Sequence, residues 1–248
     1  MKEGIAEDGA NRERIAKLLR FSSTHTDSEE ETVSLADYAA RMKEGQDRIF
    51  YVTAETFRAA RSSPHLEIFR KRGLEVLLLH DRIDEWLVGN LVDFQDKPLA
   101  SVARGEVDLG PADTEEERKR HEEKSSESQP LVEKLKGVLG DKVKDVRVTT
   151  RLTQSPSCLV ADEHDMGSNL VRMLKAAGQK IPEMRPILEI NPDHPIVQRL
   201  TPADERFSDW ANLLFDQALL AEGGHLEDPA EFVKRSNELM LSLRTAPS

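Results

Sequence analysis

The chain has 248 residues, of which 33% are charged and 38% are Ala, Val, Ile, Leu, Met, Phe, Trp, Tyr or Cys, with a formal net charge of -11. That length suits one or two domains with cores of their own. No apolar run approaches the roughly 20 residues of a membrane span, the single Cys158 excludes an intramolecular disulfide framework or a cysteine zinc cluster, and an acid excess spread over both halves argues against general binding to a nucleic-acid backbone.

In the first half, the spacing of Ile15, Leu18 and Leu19 predicts a helix over 11–19. Ser34 is placed to cap a helix through Leu35, Tyr38, Ala39 and Met42, with Asp37 at the capping-box position. Residues 48–53 are β-branched and aromatic, a strand. Helices over 55–60 and 66–72 flank Pro64, the second closed by Gly73. The continuous apolar run in 75–80 reads as a strand covered on both faces. A helix follows over 82–91, then a strand over 99–107 after the Asp96-Lys97-Pro98 turn. This alternation implies a small three-layer α/β/α subdomain over 1–110.

Residues 113–130 contain no member of the apolar set. Glu115 with Lys119 and Glu116 with Arg120 are favourable i,i+4 pairs, so 111–130 reads as a charged hinge or bridging helix punctuated by Pro111 and Pro130. In the remainder, 131–248, a helix over 131–139 ends at Gly140 and strands follow over 143–149 and 157–160. A helix over 165–177 is capped by Gly178, and a strand over 186–190 leads to a short helix over 195–200. Two long helices over 207–222 and 229–244 close the chain. Gly223-Gly224 stop the first, while Asp228 is the N-cap and Pro229 the first residue of the second. The class is therefore α/β in its broad sense, with an α+β second part.

Several catalytic patterns are missing. There is no Gly-Lys dipeptide for a P-loop and no G-x-G-x-x-G. Asp165-Met166-Gly167-Ser168-Asn169 matches a D-x-G-x-G lid only in part and reads as a helix start. The seven histidines are scattered without zinc spacing, G-x-S-x-G is absent, and Cys158 reads as a small apolar strand residue. These absences favour a binding or assembly module, with an autonomous α/β enzyme or a purely structural dimerisation module as the alternatives.

Three patterns mark candidate surfaces. Ile83, Leu87 and Leu91 form one stripe, and Trp86 lies one step off it beside Glu85, so part of its ring is expected to face solvent. Met166, Leu170, Met173, Leu174 and Ala177 share one helical face, opposite Asp165, Ser168, Asn169, Arg172 and Lys175. Periodicity alone makes that face a core face, whereas methionines suit surfaces that fit many partners. The last two helices are apolar over more than the roughly 100° that one core-facing stripe needs. Phe207, Trp210, Leu213, Leu214 and Leu219 on the first, with Phe232, Leu239, Met240 and Leu243 on the second, are expected to form a helical hairpin that meets its mate in a four-helix bundle. Whether Trp210 packs within or between chains is left open.

The residues also resemble a known family. Leu18-Leu19-Arg20-Phe21-Ser22-Ser23-Thr24, Ser34-Leu35-Ala36-Asp37-Tyr38, Arg41-Met42-Lys43-Glu44-Gly45-Gln46, Ser63-Pro64-His65-Leu66-Glu67, Glu75-Val76-Leu77-Leu78-Leu79 and Ile83-Asp84-Glu85-Trp86 resemble the heat-shock protein 90 chaperones. Val143-Lys144-Asp145-Val146-Arg147, Ala176-Ala177-Gly178-Gln179-Lys180, Glu189-Ile190-Asn191-Pro192-Asp193-His194 and Asp216-Gln217-Ala218-Leu219-Leu220-Ala221-Glu222 are similar to the bacterial branch. The resemblance implies the end of a middle domain joined to a C-terminal dimerisation domain. The ATP-binding domain, the middle-domain arginine that reaches ATP and the acidic co-chaperone tail have no counterpart. ATP and Mg belong to intact members, so the expectation here is no cofactor, no metal and no catalysis by this chain. The implied partners are a second copy and non-native client proteins, with no nucleic acid and no membrane, in the cytoplasm. Client contacts are implied around Glu85 and Trp86. They are also implied on Met166, Leu170, Met173 and Leu174, on a helix that projects toward the cleft between protomers and leaves these residues substantially exposed.

Overall fold

The computed structural model describes residues 2–106, 115–163, 165–182 and 184–244, excluding the side chains of Ser168, Leu243 and Arg244. The end of the expected strand at Val107, the start of the hinge with Pro111, and the chain end therefore lie outside the described residues, as does the side chain of Leu243. The chain forms a mixed α/β structure that divides into two compact units. Unit 1 is Met1–Glu115 with Glu163–Pro182, and unit 2 is Glu116–Asp162 with Glu183–Ser248. The sequence reading kept 163–182 within the second domain; here that segment clusters with unit 1.

Unit 1 is built on a five-stranded sheet of β1 (Ser22–Ser23), β2 (Ile49–Thr53), β3 (Leu77–Leu79), β4 (Asp93–Phe94) and β5 (Lys97–Ser101), in the order β1-β3-β2-β5-β4. Central β2 runs parallel to β3 and β5, and the two edges are antiparallel. Alternation along β2 sends Ile49 and Tyr51 into one core and Phe50 and Val52 into the other. The first core is closed by helices α1 (Gly4–Glu7), α2 (Arg12–Leu18), α3 (Leu35–Arg41) and α6 (Asp84–Asn90), the second by α4 (Phe57–Ser62) and α5 (Glu67–Arg72). The Ser34 and Asp37 capping box of α3 forms with both hydrogen bonds. Gly73 ends α5 in the left-handed region at φ 61°, where a side chain would be strained. The turn between β4 and β5 sits at Gln95-Asp96, both with positive φ as a two-residue hairpin requires, one residue earlier than the sequence suggests.

Tyr38 is the polar tie of this unit. Its buried hydroxyl donates to the Glu75 carbonyl at 2.6 Å and accepts from the Phe50 amide at 3.0 Å and from Gln46 Nε2 at 3.1 Å. It thereby joins α3 to β2 and to the approach of β3. Burial pushes its pKa well above the ordinary tyrosine value.

Unit 2 carries α7 (Glu115–Glu127), α8 (Gln129–Leu139) and a three-stranded sheet of β6 (Asp145–Val148), β7 (Ser157–Val160) and β8 (Ile187–Ile190), ordered β6-β8-β7, with α10 (Pro195–Gln198), α11 (Phe207–Ala221) and α12 (Pro229–Arg244). The charged stretch is helical, buries none of its side chains, and is tied down by Lys124 to Asp193. Strand β8 pairs parallel to β6 and antiparallel to β7. One sheet face, with Val146, Val148, Leu159, Leu188 and Ile190, packs on Leu135 and Leu139 of α8 and on Phe207, Ala211 and Leu214 of α11. On the other face Glu189 lies between Arg147 (Nη2 to Oε1, 2.7 Å) and Arg151 (Nε to Oε2, 2.9 Å), its side chain and that of Arg151 almost fully buried. Cys158, directly across the ladder from Glu189, is buried on the same face. Among the described residues no helix is long and apolar enough to cross a membrane.

These polar ties generate two predictions. Tyr38→Phe takes the side-chain acceptor from the buried Phe50 amide and the donor from the Glu75 carbonyl, and should lower unfolding free energy by about 1–3 kcal/mol in urea titration. For Glu189, burial pushes the carboxyl up, but Arg151 and then Arg147 outweigh it and hold the group below the ordinary glutamate value. A depressed folded value means the stabilisation is fully present above the unfolded value and is lost as pH falls through the folded one. The wild-type urea midpoint should therefore fall as pH drops below the ordinary glutamate value. Glu189→Ala should cost about 3–5 kcal/mol at neutral pH, since it leaves buried guanidinium charge uncompensated, and should flatten that acid dependence.

Candidate functional site

In unit 1 the surface of interest starts on α6. Leu87 and Leu91 turn into the core as their spacing requires. Asp84 and Glu85, acidic and adjacent, turn inward as well. Asp84 is held by the Lys2 ammonium at 2.8 Å and accepts from the Asp81 amide at 3.0 Å. Burial pushes its carboxyl up although Lys2 pulls the other way. Glu85 is only 3% exposed, so its carboxylate presents almost no surface to a macromolecule, whereas Trp86 is 44% exposed. The two residues that the sequence pairs as one contact thus occupy different environments, Trp86 outside and Glu85 inside.

The partner of Glu85 lies 84 positions along the chain. Asn169 Nδ2 on α9 (Ser168–Ala176) donates to Glu85 Oε1 at 2.8 Å, and Asn169 is itself buried. Arg172, one turn further on, reaches Glu55 at 3.3 Å. At the entry to α9 a Cβ placed on Gly167 would stand 3.0 Å from an Arg104 guanidinium nitrogen, a close approach that glycine permits. Sequence reasoning missed Asn169 because it falls on the polar side of the stripe, and nothing local marks a partner so remote. Met166, Leu170, Met173 and Leu174 are half-buried rather than open to the extent expected.

In unit 2 the expected dimer residues separate into two sets. Phe207, Leu213, Leu214 and Leu239 are already buried within the chain, and Trp210, Leu219 and Phe232 are partly covered. Phe207 and Leu214 belong to the core against the sheet, with Trp210 and Leu219 packed on it. On α12, Phe232, Ser236 and Leu239 share the less exposed side, while Val233 (54%), Met240 (58%) and Leu241 (64%) point out, as does Leu220 (43%) of α11. Ion pairs of Arg206 with Glu238 and of Arg235 with Asp216 pin the two helices together. Of the residues named from sequence, Met240 alone is strongly exposed among the described side chains. Leu220, Val233 and Leu241, which belong to the same apolar excess in the sequence, are exposed with it.

Elsewhere a polar groove of about 970 Å³ on unit 1 is lined by Arg58, Arg61 and Arg70, but Arg61 is committed to Asp27. Among the described residues no group of three or more His, Cys, Asp or Glu is placed to hold a metal ion.

The comparisons with known proteins resolve the family. Residues 1–246 match the family described as Hsp90 protein. The chain belongs to the Hsp90 family. It is 63% identical over 242 residues to the chaperone protein HtpG of Nitrosospira multiformis, covering 98% of this chain and 38% of that protein. It is likewise 63% identical over 241 residues to HtpG of Nitrosomonas europaea, and 61% identical over 245 residues to HtpG of Nitrosococcus oceani. These alignments cover 97% and 98% of this chain, and 38% and 39% of the respective relatives. An Hsp90 chain of this extent thus spans under two-fifths of the length of the curated relatives it matches.

Half-burial of the α9 stripe sets the expected result of removing it. The pair Met166→Ser with Leu170→Ser should lower unfolding free energy by less than the roughly 2–5 kcal/mol of a single core truncation, measured by urea titration, with helix content unchanged by circular dichroism.

Proposed function

We propose that this chain is the client-binding and homodimerising part of an Hsp90-type chaperone. The observation that carries the reading is the outward apolar row of Val233, Met240 and Leu241 on α12, with Leu220 on α11, which unit 2 leaves uncovered among its described residues. Water contact with such a row costs free energy that burial recovers at roughly 25 cal/mol per Å². A second copy presenting the same hairpin covers it with an identical surface, which is the isologous solution, and two hairpins make a four-helix bundle. Obligate dimers bury roughly 2,000 Å² or more, which hairpins of this length supply together with their flanks.

Client contact falls on Trp86 and on Met166, Leu170, Met173 and Leu174. An exposed tryptophan and a methionine-containing stripe suit irregular, non-native apolar segments, because aromatic area anchors and thioether chains adapt. In this reading ATP and Mg act in those parts of intact family members that the match does not include, and the chain alone turns over no ATP. Its partners are a second copy and non-native polypeptides, with neither nucleic acid nor membrane, and its compartment is the cytoplasm. Family membership does not favour the autonomous enzyme.

Light scattering at micromolar concentration should give twice the chain mass. Val233→Asp with Met240→Asp should give the single-chain mass with helix content retained. The wild-type chain should suppress aggregation of a denatured test protein while hydrolysing ATP at background. A monomeric wild type, or ATP turnover that follows the purified chain, contradicts the proposal.

A further inference from the structure

The side-chain bonds that fasten α9 within unit 1 come from its polar side. At 3.6 residues per turn, Asn169, Arg172 and Met173 fall within about 100° of arc, while Leu170 and Leu174 lie about 100–140° round from Asn169. The residues that reach unit 1 with named partners are the polar ones, Asn169 to Glu85 and Arg172 to Glu55. Arg172 also donates to Asn169 Oδ1 at 3.4 Å, so the two polar side chains brace each other. The polar side thus supplies the bonds that fasten the helix, while Leu170 and Leu174 remain half-buried.

We propose that Asn169 is the positioning residue of the client-facing helix, its side-chain amide latching α9 to the buried carboxylate of Glu85 so that the apolar stripe is presented outward. Only the last step, presentation to a client, rests on the function proposed above. Glu85 suits the task because it is fixed and hungry for donors. It is 3% exposed, and Oε2 has no hydrogen-bond partner among the described residues, so Asn169 supplies its one side-chain bond there. A buried carboxylate stripped of that donor is costly, which makes the amide at 169 worth more than its single bond suggests. Glu85 thereby acts on the client surface through α9, without touching the client, while neighbouring Trp86 supplies the contact. Gly167 serves the same seat, since any side chain there would press on Arg104.

The latch can be inverted. Asn169→Asp sets two carboxylates face to face, and backbone hydrogen–deuterium exchange over 168–176 should rise at least about tenfold. Adding Glu85→Gln to the same chain exchanges donor and acceptor, so an amide at 85 donates to a carboxylate at 169, and protection should return. Arg172→Ala, at the more exposed Glu55 pair, is the milder variant and should raise exchange by no more than about fivefold. Lys175→Ala, on the exposed side, should change nothing. Exchange that is unmoved by Asn169→Asp, or unrestored in the double variant, overturns the latch, as does a rise spread equally over β2 and α6. Affinity for fluorescently labelled, reduced and carboxymethylated α-lactalbumin forms the second arm. It should fall about threefold or more with Asn169→Asp and recover in the double variant, because a pre-positioned surface binds at lower entropic cost. If exchange follows the swap and affinity does not, the latch stands and the client reading is what fails.

Discussion

A carboxylate enclosed by two guanidinium groups governs the geometry of unit 2. Glu189 sits on the central strand β8, with Arg147 opposite it on β6 and Arg151 beside its second oxygen. Because side chains alternate along a strand, putting Glu189 on this face forces Leu188 and Ile190 onto the other. A slip of one residue would bury Glu189 among leucines without a countercharge and set two aliphatic residues against the guanidinium groups of Arg147 and Arg151. The ion cluster adds little net stability, since desolvation consumes most of its Coulomb attraction. Its effect is to make one register far better than the alternatives. Once the register is set, the aliphatic face receives α8 and α11, and α11 in turn carries α12.

Unit 1 depends on an uncharged version of the same device. Central β2 is aliphatic or aromatic at four consecutive positions, so its hydrophobicity does not say which residue faces which core. Tyr38 resolves this by taking the Phe50 amide and the Glu75 carbonyl onto one hydroxyl, which ties α3 over the face that carries Ile49 and Tyr51. Local signals and long-range ties cooperate here. Ser34 and Asp37 start α3 from sequence-local chemistry, and the tyrosine then aims it.

That division explains what was legible in the sequence. Ser157–Val160, the start of α11 at Phe207, and α12 from Pro229 follow from periodicity, caps and glycine stops, all of which act within a few residues. Ser22–Ser23 and Asp93–Phe94 did not emerge, because two residues carry no period and their pairing depends on strands elsewhere. Arg151 gave no sign of being among the largest fully buried side chains, since a lone arginine in a loop normally means solvent. The candidate site shows the same limit. Periodicity placed Met166, Leu170, Met173 and Leu174 on one helical face, although α9 begins at Ser168 and leaves Met166 ahead of it, and periodicity is symmetric about the question of which face is seated. The answer came from Glu85, a residue 84 positions away whose own burial is invisible in its local pattern.

The apolar excess of α11 carries a related lesson about interfaces. A helix that is apolar nearly all round has either a core on every side or a partner on one, and the pattern cannot separate the two. In the folded chain most of that excess is consumed internally, with Phe207, Ala211, Leu214 and Ala218 committed to the core against the sheet and Leu213 buried as well. What remains uncovered lies mostly on the second helix, on Val233, Met240 and Leu241, which the apolar pattern includes but does not rank above their buried neighbours. Hydrophobicity in sequence therefore marks the helices that build an interface. The residues open to a second surface are whatever the chain's own packing leaves uncovered, and these are fixed only after register, caps and polar ties have chosen the fold.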